Sequence, residues 1–384
     1  MKIDRIEIYA MTKIRYKRVF NISRGIGGGP EMKWGFHVVV KIFTNDGIVG
    51  IGEVRPANPY QGETTWSVFS GIERFYGPAL IGKNPLDISK ITEMMEDLLP
   101  QNPYARTPID LALHDIMGKA FGVPVYRLLG GLYHEKVGLK FPIGVGSPEE
   151  VVEQAHQLIA ETGTKYIKVK IGPIARLQND VATLDRLRRE FGDRINIQVD
   201  ANAGYNSVSE ALLALEQIKP FKPVLVEQPL PKWDIDGMCI LTERLDCPML
   251  ADESLWSPQD GFLLLKRRAC DILNAKIPKA GGLYRAKMIA AIAEGAGGLV
   301  YVGSTGESGI GAAAGIHFHV STKNMWPVAA CLWGPYILVD DLVTDESKIK
   351  IQDGFAYPPS SPGLGVDIDE EALRHYSENR ATIC

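Results

Sequence analysis

The chain has 384 residues, a formal net charge of −4 and 45% hydrophobic residues. That length allows two domains, or a barrel with a smaller cap, and is enough to bury a full core. The mild charge, without a basic patch interleaved with aromatics, argues against a nucleic-acid partner, and no apolar run reaches the ~20 residues of a membrane helix.

Met1–Ile8 mixes polar and apolar residues in near alternation, which reads as a strand and not as the apolar core of a signal peptide. Ile3–Thr12 and Gly35–Phe43 are two expected strands. Asn45-Asp46-Gly47 is a turn of the Asx-Gly kind leading into a third, Ile48–Val54. Between the first two, the glycine-rich run Ser23–Pro30 is expected to be a mobile loop. From about residue 65 to 122 the pattern is helical, and Thr107-Pro108-Ile109-Asp110 reads as a helix start. The five cysteines (Cys239, Cys247, Cys270, Cys331, Cys384) are odd in number and lack CxxC spacing, against a disulfide framework or a structural zinc site. These features together suggest a cytoplasmic protein.

After residue 137 short β-rich runs alternate with amphipathic stretches. The strands are Leu139–Val145, Tyr166–Ile171, Asn196–Asn202, Val224–Gln228, Met249–Glu253, Ile272–Ile277, Leu299–Gly303 and Ala329–Leu332. Helical segments between them include Pro148–Glu161, Arg176–Phe191, Ser207–Gln217 and Leu283–Glu294. This alternation predicts an α/β fold, a modified (β/α) TIM-type barrel with an α+β capping domain. The expected boundaries are residues 1–130 for the cap, 131–335 for the barrel, and 336–384 for a segment returning to the cap.

Three acids end successive apolar strands: Asp200, Glu227 and Asp252, spaced by 27 and 25 residues, about one βα unit each. Barrel active sites lie at the carboxyl ends of strands. One acid there reads equally well as a helix cap; three in register do not. Three ionised carboxylates at a barrel mouth repel unless a cation sits between them, and hard oxygen ligands suit Mg²⁺ or Mn²⁺. Glu253 should point the other way along its strand.

Lys168 and Lys170 lie two apart in the strand Tyr166–Ile171 and so share one face, entering the barrel together. Paired, partly desolvated cations lower one another's pKa, which makes a neutral lysine available as a base. Lys276 ends a later strand, 24 residues after Asp252. The acids thus lie between Lys170 on one side and Lys276 on the other. Lys279 reads as an outward or helix-start residue and Lys165 as solvated. One lysine on each face of a bound carboxylate permits racemisation. It also permits elimination or cycloisomerisation, with one lysine moving the proton and the other holding the enolate.

These motifs have a familiar order. The KxK pair, Val199-Asp200-Ala201-Asn202, Glu227-Gln228-Pro229, Ala251-Asp252-Glu253-Ser254 and Lys276-Ile277-Pro278-Lys279-Ala280-Gly281-Gly282 resemble the muconate-lactonizing branch of the enolase superfamily. Ile109–Lys119, Leu128-Leu129-Gly130-Gly131, Pro231–Gly237, Ser304–Ser308 and Pro362–Gly365 resemble its segments too, so the likeness covers the whole chain. The resemblance implies that Asp200, Glu227 and Asp252 are metal ligands, that Lys170 is the main acid/base with Lys168 as its partner, and that Lys276 serves the opposite face. It also implies that Glu307 faces the site, although a helix-start acid reads equally well there. Two capping loops, near residues 21–30 and 55–63, would close over the substrate, with Arg24, Tyr60 and Gln61 as candidate contacts.

The chain departs from neighbouring branches at two strands. Where the mandelate-racemase branch carries a histidine base, on the seventh strand, this chain has Gly303-Ser304. His317 and His319 fall later, on an expected helix, as packing or surface residues. Where dipeptide epimerases carry an Asp-x-Asp pair, near the eighth strand, this chain reads Ala330–Pro335. Trp333 replaces the phenylalanine usual in muconate enzymes; it either packs or faces a cationic nitrogen. The leading function implied is cycloisomerisation of cis,cis-muconate or a substituted muconate to a muconolactone. A racemase, epimerase or dehydratase of an N-substituted or cyclic amino acid, such as a hydroxyproline or betaine, uses the same residues. A non-catalytic metal-binding barrel is the alternative of another class, against which the full set of acids and lysines speaks. The expected partners are a small carboxylate substrate and further copies of the chain, since members of the family are commonly dimers or octamers.

Overall fold

The computed structural model describes residues 1–17, 34–56 and 62–384. β1 (Ile3–Arg15), β2 (Trp34–Thr44) and β3 (Val49–Val54) form an antiparallel sheet. In β1, Ile6, Ile8 and Ala10 are buried while the residues between them face outward, the period of a half-covered strand. Helices α1 (Thr65–Gly71), α2 (Ile88–Leu98) and α3 (Pro103–Phe121) cover the buried face. α3 begins four residues before the expected start at Thr107. Pro103 supplies the first-turn proline, and the carboxylate of Glu63 accepts from Tyr104 N and Ala105 N at 2.8 and 3.2 Å. Burial nevertheless pushes the Glu63 carboxyl up to about 7. β3 lies so close to α3 that a Cβ on Gly52 would stand 1.8 Å from the Pro108 carbonyl oxygen.

The barrel strands are β4 (Phe141–Ile143), β5 (Tyr166–Lys170), β6 (Asn196–Asp200), β7 (Leu225–Glu227), β8 (Met249–Ala251), β9 (Ile272–Asn274) and β10 (Leu299–Tyr301). They pair in parallel, each with its neighbour in sequence. Between and after them run α4 (Pro148–Thr162), α5 (Leu177–Phe191), α6 (Val208–Ile218), α7 (Ile235–Arg244), α8 (Pro258–Lys266), α9 (Leu283–Gly295) and α10 (Gly309–Val320). The expected eighth strand, Ala329–Leu332, is reduced to a bridge. Ala330 N bonds Gly138 O, Lys140 N bonds Ala330 O, and Cys331 N bonds Val302 O, at 2.8, 2.8 and 2.9 Å. Pro327 and Pro335 flank this segment and leave little chain free to extend a ladder. It still closes the curl between β4 and β10.

The chain end returns to the cap as β11 (Ser377–Ile383), antiparallel to β1. Buried cap carboxylates reach across to barrel backbone. Asp110 of α3 accepts from Leu283 N at 2.5 Å, at the start of α9. Glu53 of β3 accepts from Ser308 N and Gly311 N, 2.8 and 2.9 Å, at the start of α10. All five cysteines are free. Among the described residues no helix is long and apolar enough to cross a membrane.

Candidate active site

Strand register builds the site. Lys170 on β5 pairs with Asp200 on β6, which pairs with Glu227 on β7. Asp252 follows the end of β8, and Lys276 lies two residues beyond β9. Period-two alternation turns all five side chains inward at the carboxyl end of the barrel.

Each carboxylate is held by lysines. Lys170 Nζ donates to Asp200 Oδ2 at 2.6 Å and to Asn202 Oδ1 at 2.7 Å. Lys168 Nζ lies 3.1 Å from both Asp200 and Glu227. Lys276 Nζ donates to Asp252 Oδ2 at 2.6 Å. Lys279, expected to point outward, is instead buried and donates to Asp252 Oδ1 at 2.7 Å and to the Asp252 carbonyl. The turn Ile277–Ala280 is helical, so positions 276 and 279 return to one side. Glu227 also accepts from Asn274 Nδ2 at 3.1 Å and from Gln198 Nε2. Sequence reasoning missed Asn202, Gln198 and Asn274; the strand alternation that placed the acids would have found the last two. Glu253, expected to point the other way, instead lines the same cavity as Asp252, Lys276 and Lys279, and accepts from Asn202 Nδ2 at 3.2 Å.

Electrostatics follow from burial and these contacts. Burial works against the Asp252 charge, yet Lys276 and Lys279 hold its carboxyl far below the usual carboxylate range. Burial likewise opposes the Asp200 charge, and Lys170 with Lys168 brings its pKa down. Glu227 is pushed up, by burial first and then by the Asp200 charge. Burial disfavours charged Lys276 and Lys168, but Asp252 and Glu227 respectively reverse this and raise both. The expected mutual lowering of paired lysines is therefore overridden at Lys168, because the acids outweigh the neighbouring cation. Lys279 goes down, by burial above all.

One lysine escapes this pairing. Lys140, just before β4, is fully buried, and its Nζ finds no hydrogen-bond partner among the described residues. It stands 4.4 Å from the centroid of the Tyr301 ring, on the floor formed by Leu225, Leu250, Ile272, Tyr301 and Cys331. Burial pushes it down to about 7.

Glu307 is buried above the seventh strand but does not cap α10, a role taken by Ser308. Its carboxylate accepts from Thr305 N and Thr305 Oγ1 at 2.9 and 2.6 Å and from Ser304 Oγ. A Cβ on Gly303 would stand 2.6 Å from Asn274 Oδ1 and 2.7 Å from Lys276 Cε, so a side chain there would have to displace one of them. Trp333 is half-buried, and its indole lies against Gly306. His317 and His319 are buried packing residues of α10, and burial pushes them down to about 4 and about 3. Arg24, Tyr60 and Gln61 lie outside the described residues.

Asp200, Glu227 and Asp252 offer fully buried, hard carboxylate oxygens, each near enough to load the others electrostatically. That donor set suits Mg²⁺ or Mn²⁺. As the side chains lie, their oxygens are turned onto lysines, and among the described residues no three His, Cys, Asp or Glu side chains group around one point.

The fold is thus an antiparallel cap over a parallel barrel, with acids on three successive strand ends and lysines on both flanks. Residues 31–130 match the mandelate racemase/muconate lactonizing enzyme N-terminal domain, and residues 150–372 match the enolase C-terminal domain-like family. The N-succinyl-L-Arg/Lys racemase of Bacillus cereus is 34% identical over 97% of both chains, and its crystal structure superposes over 100% of both with a TM-score of 0.93. Muconate cycloisomerase 1 of Rhodococcus opacus is 29% identical over 89% of this chain and 91% of its own. The dipeptide epimerase of Enterococcus faecalis, solved with Mg and L-Leu-L-Tyr, is 30% identical over 96% of this chain and all of that one, with a TM-score of 0.88. The chain belongs to the mandelate racemase/muconate lactonizing enzyme family of the enolase superfamily. It is an isomerase, from a family of racemases, epimerases and cycloisomerases.

Proposed function

We propose that this enzyme racemises or epimerises an N-acylated α-amino acid, with Lys170 and Lys276 as the two bases. The observation that carries this reading is the matched pair of lysines. Lys170 and Lys276 reach the site from strands on opposite sides of β7, and each is tied at 2.6 Å to a different acid, Asp200 or Asp252. A substrate carboxylate seated between them would present its α-carbon to an ammonium or amine on each face. One lysine removes the proton and the other returns it, which inverts the centre. Lys168 and Asn202 orient Asp200 and Lys170, and Lys279 orients Asp252. Asp200, Glu227 and Asp252 would hold Mg²⁺ or Mn²⁺. When bound, the cation supplies positive charge that offsets the charge gathering on the substrate carboxylate as the α-proton leaves. The wide coverage and 34% identity with the Bacillus cereus racemase support the amino-acid reading.

Cycloisomerisation of a muconate is the second reading. The segment Ala330–Pro335 lacks the acidic pair that would hold a dipeptide ammonium group, which speaks against a dipeptide and admits a muconate as well as an N-acyl amino acid. Incubation of the Mg²⁺-loaded enzyme in D₂O with N-acyl amino acids, dipeptides, hydroxyprolines, proline betaines and cis,cis-muconate separates the two. The expected result is α-deuterium and loss of optical purity in an N-acyl amino acid, abolished by a chelator. Lactone from muconate, with no exchange in any amino-acid derivative, would overturn the proposal.

A further inference from the structure

The first turn of α3 is held from another part of the chain. The N–H groups at a helix start have no partner within the helix. Pro103 has no N–H, and Arg106 N donates to the Asn102 carbonyl at 3.3 Å, while the Asn102 side chain makes no capping bond. The two donors that remain, Tyr104 N and Ala105 N, both go to the carboxylate of Glu63, at 2.8 and 3.2 Å. Bonds from backbone N–H to a carboxylate are about twice as strong as neutral ones. Glu63 is only 8% exposed. Arg106, on the same turn, faces both Glu63 and the Tyr76 hydroxyl and so gives the buried acid a counter-charge.

This turn packs on the segment that carries Lys276. Gly281 has φ 85°, and a Cβ there would stand 3.2 Å from Arg106 Nε and 3.5 Å from Pro103 Cα. Thr107 Oγ1 donates to the Pro103 carbonyl at 2.9 Å and lies 3.3 Å from the Pro278 carbonyl, so one hydroxyl bridges the two turns. Gly281 N and Ala280 N in turn bond the carbonyls of Ile277 and Lys276, each at 3.1 Å. A shift at the start of α3 therefore reaches the Lys276 backbone through a single layer of contacts. Lys170 stands on the opposite flank, on β5, whose backbone is held by β4 and β6.

We propose that Glu63 is a positioning residue for Lys276: by holding the first turn of α3 it holds the turn Ile277–Ala280, and with it the aim of the lysine on one face of the substrate. Glu63 acts through the helix start and not on the reacting atoms. The inference rests on the proposed racemisation, in which Lys276 and Lys170 serve opposite faces. It assigns to a cap residue an effect on only one of the two proton transfers.

Glu63→Gln, which keeps one acceptor oxygen, and Glu63→Ala, which keeps none, test it on the Mg²⁺-loaded enzyme. The glutamine variant carries the test alone if the alanine variant does not fold. The first readout is amide hydrogen exchange by mass spectrometry. Exchange should rise about tenfold in residues 103–110 and again in 276–284, with β5 as in the native enzyme. The second is α-deuterium uptake in D₂O from each pure enantiomer of N-acetylalanine, N-acetylmethionine and N-acetylglutamate. For the enantiomer whose uptake Lys276→Met stops, the rate should fall about threefold or more in Glu63→Gln and about tenfold or more in Glu63→Ala. The other enantiomer should stay within about twofold of native. Loosening confined to 103–110, or an equal loss for both enantiomers, would sink the positioning role and leave the racemase standing. Loosening of both segments, with no uptake from any probe by the native enzyme, would sink the racemisation and leave the link between Glu63 and the Lys276 turn. Absence of both effects overturns both.

Discussion

Replacing Lys276 by methionine tests the two-base arrangement directly. Methionine keeps most of the side-chain volume, so the site neither collapses nor opens a large cavity. The electrostatic cost follows from the contacts. Removing one partner of a buried ion pair costs about 3–5 kcal/mol when the other charge is left alone. Asp252 is not left alone, because Lys279 Nζ remains at 2.7 Å from Oδ1 and also bonds its carbonyl. The loss of stability should therefore fall below that range, about 1–3 kcal/mol, and the variant should fold. Losing a positioned base costs about 10²–10⁴ in rate, or ~3–5 kcal/mol of barrier. That cost falls on one enantiomer only, the one whose α-proton faces Lys276. Its mirror image still meets Lys170, whose bonds to Asp200 and Asn202 are untouched. The assay follows α-deuterium uptake from D₂O by NMR, starting from each pure enantiomer, alongside the optical rotation. Lys276→Met should abolish racemisation from both sides, yet keep exchange for one enantiomer within about tenfold of the native enzyme. Lys170→Met should show the opposite preference. Equal loss of exchange for both enantiomers would refute the reasoning, since it would make Lys276 an electrostatic support rather than a base.

Two further outcomes follow from the same charges. Asp200→Asn should weaken Mg²⁺ binding by about tenfold or more in calorimetry, and unchanged affinity would remove Asp200 from the donor set. Lys140 should make stability rise with pH. Burial brings it down to about 7, whereas the unfolded chain keeps the ordinary lysine value of 10.5. Between those values the unfolded state holds a proton that the folded state has shed, so unfolding free energy increases with pH. The rise should amount to a few kcal/mol at most, on the order of 1–4. Lys140→Met should flatten it and be the more stable protein at pH 7; urea unfolding of both proteins at pH 7, 8 and 9 decides, and parallel profiles would contradict it.

Much of this site was legible because strand periodicity is local. Asp200, Glu227 and Asp252 each close a short apolar run, and Lys168 and Lys170 share one face of theirs, so their placement at neighbouring strand ends needed only the period of two and the barrel. What stayed hidden depends on distant partners or on broken periodicity. Lys279 reads as an outward or helix-start residue until the tight turn of Ile277–Ala280 brings it back beside Lys276. Lys140 sits among Leu139, Phe141 and Pro142, where the proline interrupts any clean alternation. The true start of α3 depends on Glu63, forty residues upstream, and the role of Asp110 on a helix 173 residues away. The expected eighth strand is only a bridge, because an apolar run between two prolines has the composition of a strand without the donors to extend one.

The cap does more than cover the barrel mouth, since it fixes the turn that carries Lys276 and Lys279. Thr107 Oγ1 of α3 lies 3.3 Å from the Pro278 carbonyl and 3.5 Å from that of Ile277. One helical turn later Asp110 accepts from Leu283 N at 2.5 Å, at the start of α9. Gly282 between them has φ 122°, and a Cβ there would stand 2.2 Å from Asp110 Cγ. The residues from Ile277 to Leu283 are thus gripped at both ends by a single face of α3. A base must hold its position to within a fraction of an ångström to serve one face of a substrate. Lysine has four rotatable bonds, so its precision comes from the backbone that bears it and the acid that receives it. Asp252 fixes the tip and α3 fixes the root. The position of Lys276 is therefore set by how the cap helix docks on the barrel.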